Sequence, residues 1–144
     1  MLYQEFDIPK YKWKVYAFYD TTFEDADVVM ECLYDLGCNG EMAKRAFQNL
    51  SSGNYNTGLT FSKDRKTCIV LGRSTDKANF SHTYVHEITH CAIHIANEYG
   101  ISPQSESLAY IAGDLGSVML PYASKFICDH CRCKTNHNHY ERED

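Results

Sequence analysis

The chain has 144 residues, 44% of them apolar and 13% aromatic, which suits one folded domain with a single core rather than a disordered chain. Its net charge of -5, with Lys and Arg scattered, gives no electrostatic case for nucleic acid or an anionic membrane surface. No apolar run approaches the ~20 residues of a membrane helix. MLYQEFDIPKYKWK lacks the apolar h-region of a secretory signal, so a cytoplasmic protein is expected.

Taken in chain order, WKVYAFY (13–19) alternates Trp13, Val15, Ala17 and Tyr19 on one face and reads as a strand. Thr22 opens a helix, with Asp25 at the capping-box position. Val29, Cys32, Leu33 and Leu36 recur at helical spacing, and Gly37 stops the helix. EMAKRAFQNL reads as a second helix with Met42, Ala43, Ala46, Phe47 and Leu50 on one face. SSGNYNTG (51–58) has loop composition. GLTFS and KTCIVLGR then form a β-hairpin across a Lys-Asp-Arg turn. A long helix starts near Asn79 or Ser81, runs to about Tyr99 and ends at Gly100. Ser102-Pro103 offers an N-cap and first residue for a last helix, with Leu108, Ile111, Leu115 and Met119 inward until Pro121 breaks or kinks it. The order β-α-α-β-β-α-α predicts an α+β domain over 1–127, followed by a polar tail, 128–144.

Seven cysteines without a secretion signal read as reduced thiols rather than a disulfide framework. Cys32, Cys38, Cys68 and Cys91 fall in or beside regular elements. Cys128, Cys131 and Cys133, with His137 or His139, form either a weak second metal site or a polar tail with adventitious affinity.

The long helix carries histidines at 82, 86, 90 and 94. His86-Glu87-Ile88-Thr89-His90 is an HExxH motif. Its histidines lie one turn apart and reach one ion, while Glu87, about 100° around, meets a metal-bound water without ligating. A catalytic zinc takes a third protein ligand. His94 is ~12 Å along the axis from His86, and His82 fails by the same geometry. Both are expected on the helix surface or supporting the site. Glu106, early in the next helix, reaches His90 if the two helices pack antiparallel. Ala109 and Gly113 on its stripe would permit close approach. Its alternative role is a carboxylate favoured by the helix N-terminus. A metzincin continuation is excluded by Ile93 and Ala96, where glycine and the third histidine would fall.

With HExxH on one helix and a Glu on the next, the chain resembles the zincin-like metallopeptidases of gluzincin type. His86 and His90 match the ligands, Glu87 the general base and Glu106 the downstream ligand. NLSSGNYNTGLTFS (49–62), CIVLGRS (68–74), the HEITH helix and SESLAYIAGD (105–114) look like small HExxH proteins of phages and mobile elements in Bacteroides-type bacteria. Ser105 stands where gluzincins usually place Asn. The resemblance implies a minimal zincin fold, a Zn(2+) cofactor and a bacterial-cytoplasmic or virion-associated setting. It also implies a peptide substrate added as a strand beside 58–62 or 67–73.

Such an enzyme would use Glu87 to move the proton of a zinc-activated water. Tyr110, one turn after Glu106, is the candidate oxyanion donor, and otherwise a core aromatic. Asp114 is a candidate hydrogen-bond partner for a zinc histidine, and otherwise a solvated residue. The competing expectation is a non-catalytic zincin-fold protein, a phage-particle component or host-factor binder. A third is a metal-binding regulatory module centred on the tail.

Overall fold

A computed structural model describes residues 1–127, so Cys128, Cys131, Cys133, His137 and His139 lie outside the described residues. The elements are β1 (Leu2–Ile8), β2 (Trp13–Thr21), α1 (Ala26–Asp35), α2 (Gly40–Ser51), β3 (Gly58–Lys63), β4 (Lys66–Gly72), α3 (Lys77–Glu98) and α4 (Glu106–Ile127). They make an α+β domain around a mixed four-stranded sheet of order β1-β2-β4-β3. β2 and β4 run parallel, and the outer strands pair antiparallel to them.

The sheet is covered on both faces, which follows from its side-chain alternation. Val15, Ala17 and Tyr19 of β2 and Ile69 and Leu71 of β4 pack under α3 and α4. Phe18, Cys68 and Val70, pointing the other way, pack under α1 and α2 with Val29, Met30, Leu33, Ala43 and Ala46. β4 is buried along almost its whole length and pairs on both sides, so it cannot accept another strand. Among the described residues, β3 is the hairpin strand with an unpaired edge, which removes 67–73 as a docking strand.

Several boundaries differ from the sequence expectation. β1 is a strand that the sequence expectation lacks. Its alternation is interrupted by Gln4, a buried polar residue whose amide accepts from Tyr19 Oη at 2.6 Å and donates to the Val118 carbonyl at 3.1 Å. Thr22 and Asp25 do form a box, the Thr22 amide donating to Asp25 Oδ2 at 2.8 Å. They frame a 3-10 turn, and α1 is regular only from Ala26. Met42 and Phe47 are exposed rather than on the inner face of α2.

α3 starts two residues early because Asp76 caps it, Oδ1 accepting the Asn79 amide at 2.8 Å. Ser102-Pro103 lies in the connecting turn. Ser105 caps α4 instead, its Oγ accepting from the Leu108 amide at 3.3 Å. Pro121 does not break α4, which continues to Ile127. Packing beyond the proline holds that last stretch: Ala123 is fully buried and Phe126 lies against Phe80 at 5.4 Å. No helix among the described residues is long and apolar enough to cross a membrane.

Candidate metal centre

α3 is amphipathic, burying Tyr84, Ile88, Cys91, Ala92 and Ile95 against the sheet and α4. The helical repeat therefore points His86 and His90 outward, and both are exposed. They border an open groove of about 600 Å³ with Ala78, Ser81, His82, Val85, Thr89 and Ile93. Within it the two Nε2 atoms stand 3.2 Å apart. Two nitrogens in one tetrahedral zinc shell are separated by ~3.3 Å, given bonds near 2.0–2.1 Å. Either a shared proton or a shared ion fits that gap, and the donor set suits zinc.

Glu87 lies on the flank of α3 that faces β3 and is only 6% exposed. A buried carboxylate requires partners. Thr60, in mid β3, donates its hydroxyl to Glu87 Oε1 at 2.7 Å, and the same hydroxyl lies 3.2 Å from the Glu87 carbonyl. Oε2 is left 4.0 Å from His86 Nε2. Room for the carboxylate comes from Gly58. A Cβ there would stand 2.6 Å from Oε2 and 2.8 Å from Cγ of Glu87. Neither Gly58 nor Thr60 was singled out from sequence. The readable signal was the small, polar alternation Gly58, Thr60, Ser62 on one face of a strand.

The other expected residues are distributed as follows. His82 is exposed and stacks on His86, ring centroids 5.9 Å apart. His94 is half-buried, its Nδ1 at 2.7 Å from Ser62 Oγ. Burial lowers its pKa, with His90 adding to the effect. Tyr110 is 66% exposed rather than in the core, and Asp114 is exposed.

Glu106 is exposed in the first turn of α4. Among the described residues no three His, Cys, Asp or Glu side chains are gathered as a metal cage, so Glu106 is not assembled with the histidine pair. The seating of α4 explains this. Tyr84 Oη donates to the Gly116 carbonyl at 2.6 Å, fixing α4 against the Tyr84 face. His86 lies about 160° around α3 from that face, and His90 about 120°.

Around this centre the sheet supplies the support and α3 supplies the chemistry: two convergent imidazoles and one buried, oriented carboxylate. Compared with known proteins, the chain matches no family model, no curated protein and no solved structure.

Proposed function

We propose that the protein is a zinc-dependent peptidase of minimal zincin-like build, acting on peptide or protein substrates. The observation that carries this reading is the pair of Nε2 atoms 3.2 Å apart beside a buried, oriented Glu87. His86 and His90 would hold the ion. A bound zinc supplies polarisation of the scissile carbonyl and a water of lowered pKa. Glu87 takes the proton of the attacking water and returns it to the leaving amine. Thr60 occupies Oε1, so Oε2 is the oxygen that does this work. The free edge of β3 orients an extended peptide through main-chain hydrogen bonds. Glu106 is the third ligand implied by the resemblance, and that role asks the first turn of α4 to move toward the pair.

The test is zinc content together with turnover of a peptide library. The wild type is expected to bind about one zinc and to cleave. Glu87→Gln should keep the zinc and lose about 10²–10⁴-fold in turnover. Unchanged turnover in Glu87→Gln would sink the mechanism. One observation favours a second reading, a non-catalytic zincin-fold protein that binds a host or particle partner: no third ligand is gathered among the described residues. Zinc retained by the wild type with no peptide cleaved would select it.

A further inference from the structure

The peptidase reading makes no use of His94, yet β3 holds that residue as deliberately as it holds Glu87. Seven residues separate the two, so they share one side of α3 with about 20° of drift and ~10.5 Å of axial rise. Thr60 engages Glu87, and Ser62, the next residue on the same strand face, engages His94. Behind Ser62 runs a chain of short polar contacts. Trp13 Nε1 donates to Thr67 Oγ1 at 2.8 Å, and Thr67 Oγ1 meets Ser62 Oγ at 2.7 Å.

The contacts admit either direction at each hydroxyl, and acceptor strength chooses between them. An indole N–H can only donate, so it occupies an acceptor site on Thr67. Thr67 keeps its own proton, for which Ser62 is the stronger of two acceptors. Its other neighbour is the Cys91 sulfur, which is a weaker acceptor. With Ser62 accepting from Thr67, its proton is available to His94 Nδ1, a stronger acceptor than a hydroxyl oxygen. With Nδ1 accepting, the ring proton sits on Nε2. Among the described residues the Ser62 contact is the hydrogen bond His94 makes, which leaves the Nε2–H donor unpaired. A half-buried imidazole in that tautomer leaves an N–H donor available to a bound group.

We propose that His94 is a specificity-determining residue: its Nε2–H reads a carboxylate or carboxamide side chain of a bound peptide, two to three residues from the bond held beside Glu87. The distance follows from strand rise. Thr60 and Ser62 are two residues apart on β3, and ~10.5 Å along α3 spans about three residues of an extended peptide at ~3.4 Å each. The placing of a peptide beside Glu87 and His94 rests on the peptidase reading. The hydrogen-bond chain does not. Ser62, Thr67 and Trp13 act through His94 and are positioning residues.

The experiment separates binding from cleavage. A random peptide library is retained on the full-length, zinc-loaded Glu87→Gln protein and sequenced. One position is expected to be enriched about tenfold for Asp, Glu, Asn or Gln, the scale of one hydrogen bond to a charged or strongly polar partner. His94→Leu should flatten that position alone. His94→Gln, which keeps an N–H donor, should retain most of the preference. Ser62→Ala should weaken it while leaving the imidazole in place. An unchanged profile in His94→Leu, no positional enrichment, or no peptide retained would each overturn the proposal. Cleavage by the wild type is scored separately. Cleavage with a flat profile sinks the specificity role and leaves the peptidase reading standing. Enrichment without cleavage does the reverse.

Discussion

At the scale of single residues, the candidate site turns on a volume exchange. Glu87 carries its carboxylate into the space that a side chain at position 58 would fill. Gly58→Ala is therefore expected to push the carboxylate off Thr60, costing about 1–3 kcal/mol of stability as overpacking does. Turnover should fall with it. A variant as stable and as active as wild type would refute the cradle. Thr60→Val removes the hydroxyl and keeps the shape. Leaving Glu87 Oε1 short of its partner should cost about 1–3 kcal/mol in a denaturant titration. It should also lower kcat more than it changes KM, because the base is disturbed and the strand edge is not. Both changes act through neighbours of Glu87, and neither residue belongs to the HExxH pattern. The motif marks the residues for which chemistry is proposed. It is silent on the glycine and threonine that make a buried carboxylate tolerable, because those belong to a strand 27 residues earlier in the chain.

At the scale of elements, the glycine stops of helices are the most readable layer. Gly37 and Gly100 end their helices with φ of 98° and 66°. In each case the next residue's amide reaches back to the last full turn, Cys38 to the Leu33 carbonyl and Ile101 to the Ala96 carbonyl. The hairpin turn was readable too. Asp64 and Arg65 both take positive φ, the geometry that matches strand twist in a two-residue loop. Helix starts were less readable, because several Ser, Asn and Asp residues compete for each and only tertiary context selects one. Asp76 won at α3, and Asp76→Ala is expected to cost about 1 kcal/mol in urea unfolding, within the usual 0.5–2 kcal/mol for a lost cap. An effect near zero would return the start of α3 to Asn79 or Ser81. β1 escaped notice because Gln4 sits where an apolar residue was required. Its burial is tolerable only through Tyr19 and Val118, which no local pattern reveals. The seating of α4 was equally hidden. The register that ties Tyr84 to Gly116 depends on how two helices dock rather than on either sequence alone.

At the scale of the whole molecule, the proposed metal binding, like proton binding, would be linked to folding. Zinc held by His86 and His90 in the native state alone would add about 2.7 kcal/mol of stability at a hundredfold excess over its Kd. The melting temperature should rise with zinc in the wild type and not in a His86→Ala, His90→Ala double variant. An equal rise in both would place the bound zinc elsewhere. Protons act in the opposite sense. Burial holds His94 below its ordinary pKa of 6.5, so between its folded and unfolded values the unfolded chain binds the extra proton. The metal-free protein should therefore lose stability as pH falls below about 6.5, and His94→Gln should flatten part of that slope. A slope unchanged in the variant would assign it to other groups. The parallel pairing of β2 with β4 carries a last consequence, for the order of folding. Lys14 to Tyr19 pair with Lys66 to Leu71, so that ladder closes a loop of about fifty residues before it gains any bonds. Gly58, Thr60, Ser62, Glu87 and His94 all lie within the contiguous stretch β3-β4-α3. The Thr60–Glu87 and Ser62–His94 contacts span 27 and 32 residues, so closing them costs less chain entropy than the β2–β4 ladder, and the centre is expected to assemble before that ladder closes.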